Sequence, residues 1–188
     1  MNIRTIYRNY KDIDLDELRK NYARLYYFGL GFIQLKLNDV ERLHFYSSKL
    51  PVITEEPHNH RYGFLSRVLK GEITNNVWTT GIPGEKDGNY LMVSESCNPD
   101  IKAPPVETPV FAMPMDSLTY HPGESYIMTQ DMYHTVQAKE CITHLIRTHK
   151  TANFAFVLRE KGKPAVCPFS KKIPEGELWE IMKEMVES

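Results

Sequence analysis

The sequence predicts a mainly β chain, a sandwich or barrel with one helix near each end. Three observations lead there. From residue 40 to residue 160, short runs of alternating or β-branched character are separated by turn residues, the signature of an antiparallel β domain. Helical periodicity is confined to stretches near the two termini. The 188 residues, 41% hydrophobic and 25% charged, suit one globular unit with a sizeable core.

In chain order, Asp14 reads as a helix cap, with Asp16 and Glu17 in a first turn where the helix dipole favours acids. Leu15, Leu18, Tyr22, Leu25 and Phe28 then recur at helical spacing, which predicts a packing helix running to Gly29. Val40 to Tyr46 alternates and predicts a strand. A second strand runs from His58 to Gly71, and a third from Ile73 to Thr80 before the turn Gly81-Ile82-Pro83-Gly84. Pro99, Pro104, Pro105, Pro109 and Pro114 argue for a long loop or an edge segment from Asn98 to Pro114. Short strands resume at residues 117–120, 124–128, 134–137, 141–148 and 153–158. Pro174 opens a last helix striped with Leu178, Ile181, Met182 and Met185. The resulting division is a helical extension at 1–39, a barrel at 40–160 and a C-terminal extension with a helix at 161–188.

Charge and cysteine content exclude several classes. The net charge is -1 with no long run of one sign, so no nucleic-acid or anionic-membrane footprint exists. Cys97, Cys141 and Cys167 are widely spaced and odd in number, which fits a reducing compartment rather than a disulfide framework. Met1-Asn2-Ile3-Arg4-Thr5 lacks an apolar signal core, and no apolar run reaches membrane-spanning length. The expectation is a cytoplasmic protein whose partner is a small molecule.

The chemistry concentrates in Pro57-His58-Asn59-His60. Side chains two apart on an extended chain point the same way, so His58 and His60 should face one cavity. Two such imidazoles are half of a site for zinc, copper, iron or nickel, although paired histidines also occur on ordinary surfaces. A third histidine, His134, opens a strand after the turn Thr129-Gln130-Asp131.

With both elements in hand, the chain resembles the cupin superfamily. His58, His60 and Gly71 fall on the first half of that family's two-part pattern, with Phe64 where a glutamate would stand. Gly123 and His134 fall on the second, with Thr129, Asp131 and Ala138 replacing its proline, glycine and asparagine. The resemblance covers residues 40 to 158. It implies a single cupin double-stranded β-helix, or jelly-roll, barrel, with a divalent metal on His58, His60 and His134.

Phe64 cannot coordinate, so the implied triad is neutral and leaves the dication's charge to attract an anionic substrate. Such a triad looks like the cysteine dioxygenase type, which implies Fe(II), with Zn, Ni or Mn as alternatives, and a small thiol or acidic metabolite. By strand parity, Phe64, Ser66 and Val68 should face the metal. The resemblance to thiol dioxygenases, which hold a substrate carboxylate with an arginine on the preceding strand, implies Arg42 as the clamp, against the alternative of a surface arginine. Tyr126 is a candidate proton donor, or else a core tyrosine. His144 is a spare ligand, with parity opposite to Arg147; His44 and His121 read as structural or exposed. Pairing into a homodimer is implied by resemblance alone. The competing class is a non-redox cupin: a sugar or nucleotide-sugar isomerase, or a ligand-binding barrel without catalysis.

Overall fold

A computed structural model describes residues 7–21, 25–53, 56–84, 86–95, 106–166 and 171–188. Of the positions singled out above, Met1 to Thr5, Tyr22, Cys97, Asn98, Pro99, Pro104, Pro105 and Cys167 lie outside the described residues. No described helix is long and apolar enough to cross a membrane.

Helix α1 (Leu15–Asn21) is capped as expected, with the Glu17 amide donating to Asp14 Oδ1 at 2.8 Å. It does not continue to Gly29. Leu25–Phe28 (β1) and Phe32–Lys36 (β2) form a hairpin, with Gly31 at φ 80° in its turn. Apolar residues spaced by three and four can also satisfy a strand. Burying every position from Phe32 to Leu35 between two cores suits a strand better than a one-sided helix.

Strand β3 (Glu41–Tyr46) follows, then the long β4 (Tyr62–Thr80), β5 (Tyr90–Glu95), β6 (Glu107–Val110), β7 (Ala112–Tyr120), β8 (Ser125–Met128), the long β9 (Tyr133–Thr151), β10 (Ala155–Glu160) and helix α2 (Glu175–Glu187). Every pairing among the described residues is antiparallel. One sheet has the order β1-β2-β3-β9-β4-β7, with β8 also on β4, and a smaller sheet has the order β10-β5-β6. This is the mainly β, jelly-roll class that the sequence predicts, with one helix near each end. The proline-rich region contributes edge strands: Pro109 lies in β6, and Pro114 in β7 sits beside a bulge where the register steps from Val77↔Asp116 to Trp78↔Pro114. Edges and bulges are where a residue without an N–H does least harm.

Two pairs of expected short strands are each one continuous strand. The breaks expected near Gly71 and near residues 138–140 are bends in β4 and β9, lying against each other. Gly71 has φ 68° and Glu140 φ 48°, and the ladder shifts register on both sides of Lys70. The bend folds one long hairpin over itself, so its first half pairs with β8 and its second with β7. Inside lies a core that includes Phe32, Tyr46, Phe64, Val68, Tyr126, Cys141 and Leu145. On the outer face, Leu43, Phe45 and Ile142 pack against Leu178, Trp179, Ile181, Met182 and Met185 of α2, the apolar stripe expected there.

A Cβ placed on Gly71 would stand 2.3 Å from the Glu140 carbonyl oxygen and 2.9 Å from Cys141 Cα, both backbone atoms. Gly71→Ala is therefore expected to destabilise the fold by roughly 2 kcal/mol or more, from strained φ and forced separation of the strands. Urea unfolding of both proteins measures this, and a loss below about 0.5 kcal/mol would mean the bend is free to relax.

Candidate metal centre

His58 and His60 do not lie on β4. They occupy the segment before it, which runs between the two sheets. His58 exchanges backbone hydrogen bonds with His134, N to O at 3.0 Å and 2.9 Å, and forms a second bridge with Val157. On the other side, the Asn59 amide donates to the Phe156 carbonyl at 3.0 Å, and the Leu158 amide to the Pro57 carbonyl at 2.7 Å. Asn59 Oδ1 also accepts from the Phe156 amide at 2.7 Å. An ion pair, Arg159 Nε to Glu56 Oε1 at 3.1 Å, holds the start of the segment. Main-chain pairing thus places His58 directly opposite His134, 76 residues along the chain in sequence but adjacent in space.

The three rings converge. Ring centroids are 5.1 Å apart for His58–His60, 5.0 Å for His58–His134 and 5.1 Å for His60–His134. Among the described residues, their ligand nitrogens form a cluster lying within 4.8 Å of one another. His60 Nε2 and His134 Nε2 are 2.9 Å apart. Two imidazole lone pairs at that distance repel unless a proton or a cation lies between them.

Two rings are oriented from behind. His58 Nδ1 lies 3.1 Å from the Glu56 carbonyl and His134 Nδ1 lies 2.9 Å from Asn75 Oδ1, so each Nδ1 carries the hydrogen and donates it. That assignment leaves Nε2 of both as a lone-pair donor into the cluster, the arrangement a ligating histidine needs. Burial lowers the pKa of all three, and for His60 and His134 the neighbouring imidazoles lower it further. The rings are neutral at pH 7, the protonation state that binds a cation. The donor set fits a divalent first-row metal: three neutral nitrogens and no carboxylate among them.

Phe64, 3% exposed, stands edge-on to His60 at 4.9 Å between centroids, so the cavity has a phenyl wall where a carboxylate ligand would otherwise reach. Ser66 and Val68, expected to face the metal as well, are buried but do not line this cavity; they lie deeper in the core. Arg42 is buried rather than at the surface. Its Nη1 donates to Gln34 Oε1 at 2.8 Å and to Tyr62 Oη at 2.5 Å, and its guanidinium lies 4.9 Å from the Tyr62 ring centre. Tyr62 in turn lies 6.0 Å from His60, centroid to centroid. Tyr126 lines the same cavity. Burial pushes its pKa up to about 12 while contacts with Ser66 and Asn75 oppose the rise, so its hydroxyl stays protonated and can donate.

The triad, Arg42, Phe64 and Tyr126 share one cavity of about 770 Å³. His144 is not there. It faces the opposite side of β9, edge-on to Tyr7 at 5.4 Å, because Leu145 takes the inward position. Arg147 has the inward parity and lies 5.4 Å from the Tyr62 ring centre. His121 is exposed, 3.9 Å from Glu72. His44 is buried and lines the cavity, its Nε2 3.3 Å from Gln34 Oε1.

Sequence reading missed Asn75, Gln34 and Tyr62. An asparagine inside a β-branched run was the one legible signal for Asn75, since asparagine is disfavoured there without a side-chain partner. Gln34 was hidden by the helical reading of its segment.

No protein-family model matches the sequence, and no curated protein matches it. Among solved structures the chain is similar to the crystal structure of hydroquinone 1,2-dioxygenase PnpCD in complex with Cd2+ and 4-hydroxybenzonitrile. The two are 12% identical with a TM-score of 0.36, over 86% of this chain and 81% of that chain. At that distance the likeness bears neither on the residues of the site nor on what they do.

Burial first, and the Arg42 charge second, pull the His44 pKa from 6.5 down to about 3. Below pH 6.5 the unfolded chain therefore takes up a proton that the folded chain refuses. Stability should fall as pH drops from about 6.5 toward about 3, by up to ~1.4 kcal/mol per pH unit for this one group, with no slope from it above that window. Urea unfolding at pH 7 and pH 5 should show a shallower loss for His44→Gln than for the parent. Equal losses would mean that His44 accepts the proton while folded.

Proposed function

We propose that this protein is a metal-dependent oxidoreductase of the mononuclear non-haem type, with Fe(II) on His58, His60 and His134, acting on a small anionic organic molecule. The observation that carries the reading is the neutral three-histidine cluster whose Nδ1 hydrogens are engaged behind it, with Phe64 instead of a carboxylate beside it. Carboxylate-free ligation leaves a dication uncompensated, which favours an anionic organic ligand in the same cavity. A ferrous ion held by three protein ligands would supply open coordination positions for an organic donor atom and dioxygen.

The chain's own residues do the rest. The Glu56 carbonyl and Asn75 fix the tautomers of His58 and His134, so that both present Nε2 without reorganisation. Arg42, set by Gln34 and Tyr62, offers a positive charge beside the triad to hold and orient an acid group. Phe64 supplies an apolar wall that keeps water from the reacting atoms. Tyr126, protonated across the neutral range, can donate a proton or hydrogen bond but cannot serve as a base.

Iron loading followed by oxygen-electrode traces with a panel of acidic and thiol compounds tests the reading. The parent should bind about one divalent ion per chain and consume oxygen only with a co-substrate, whereas His60→Ala and His134→Ala should lose most of the ion. Asn75→Leu should weaken metal binding roughly 10- to 100-fold while leaving all three ligands in place. Phe64→Glu should shift metal preference and impair turnover, because it adds a negative ligand. Full metal loading of both alanine variants would place the metal elsewhere. Metal binding without oxygen uptake on any compound would favour the isomerase or ligand-binding alternative.

A further inference from the structure

The cavity wall made by β2 and β3 changes character along its length. Cross-strand register sets Lys36 beside Arg42, Gln34 beside His44 and Phe32 beside Tyr46, and all six line the cavity. Side chains on one strand face advance about 6.6 Å per step, so Arg42 to Tyr46 spans roughly 13 Å. One end carries two cations. The middle is an amide and an imidazole sharing Gln34 Oε1. The far end is aromatic: Phe32 stacks on Phe28 at 5.1 Å and 7°, and meets Tyr46 at 5.0 Å.

Three of the four lining cations among the described residues agree with that polarity: Lys36 and Arg42 on the wall, and Arg61 next to His60; Lys139 lies toward the other end, two residues from Cys141, the partner of Tyr46. The lining carboxylate among the described residues, Glu56, is engaged by Arg159. The cationic end is also the end nearest the triad, because Arg42 bonds Tyr62 and Tyr62 lies beside His60. A space of about 770 Å³ is the size that takes a ligand of many heavy atoms, far larger than a three-carbon thiol acid.

We infer that the cavity takes an elongated aryl-alkyl carboxylate, its acid group at Arg42 beside the histidines and its ring packed on the strip that Phe32 and Tyr46 form together. This rests on the proposed function only for which end of the ligand would react. Binding along the wall needs no metal, since the guanidinium and the ring strip are protein groups. Offset or edge-on packing on two aromatic side chains discriminates a ring from a flexible alkyl chain of similar length.

Calorimetric titration of the full chain separates these terms with four probes: 4-phenylbutanoate, its neutral amide, octanoate and 3-mercaptopropanoate. The aryl acid should bind at least tenfold tighter than each of the other three, and His60→Ala should keep that preference. Arg42→Met should weaken the aryl acid at least tenfold and leave the amide unchanged. Phe32→Leu, a milder change if the arginine variant fails to fold, should weaken the aryl acid but not octanoate. Equal binding of any comparator, or no measurable binding of the aryl acid, overturns the inference. Oxygen uptake is read separately: its absence alongside an intact aryl-acid preference would sink the oxygenase reading and leave this one standing.

Discussion

The site depends on a short piece of main chain. Residues 57–59 are hydrogen-bonded on one edge to the start of β9 and on the other to β10, so they form the seam between the large and small sheets. Backbone pairing is geometrically demanding, with donor and acceptor fixed in direction, and it therefore sets side-chain position to within a residue. Because His58 is the residue opposite His134, the imidazoles meet as a consequence of the barrel closing. Asn59 and Arg159 reinforce the seam with a side-chain bond to the Phe156 amide and an ion pair to Glu56. Fold closure and site assembly are the same event.

Burial then decides the electrostatics. His44, His58, His60 and His134 are held neutral by desolvation, in a cavity whose nearest cation is a buried arginine. Charging any of them would cost desolvation, and for His44, His60 and His134 also repulsion from Arg42 or from a neighbouring ring. A set of neutral nitrogens under a positive field is poor at holding protons and well suited to holding a metal together with an anion. Asn75 links this field to the core: it accepts from His134 and contacts Tyr126, so the tautomer of one residue and the protonation of the other are tied to one amide.

Local pattern and tertiary context diverge most clearly at residues 15–36. Apolar and aromatic side chains there satisfy both a helical and an extended period, and among the described residues only the first seven are helical. The strand half carries Gln34 and Phe32, which the cavity wall requires, so a wrong period hid part of the site. Gly71 shows the reverse. It reads as the end of a strand, yet the strand passes through it, because only a glycine admits the Glu140 carbonyl so closely.

Alternation, turn residues and two terminal helical stripes were enough, from sequence alone, to determine the β class, and the spacing of histidines and glycines singled out His58, His60 and His134. Phe64 was legible too, through strand parity, because a period of two is a local property of the chain, whereas Arg42 was legible only through the family resemblance. Which nitrogen each histidine presents, the burial of Arg42 against Gln34 and Tyr62, and the outward turn of His144 were not legible. Each depends on a partner far away in sequence, on another strand or in the loop that closes the barrel. Their positions follow from long-range register and packing, which no local window contains.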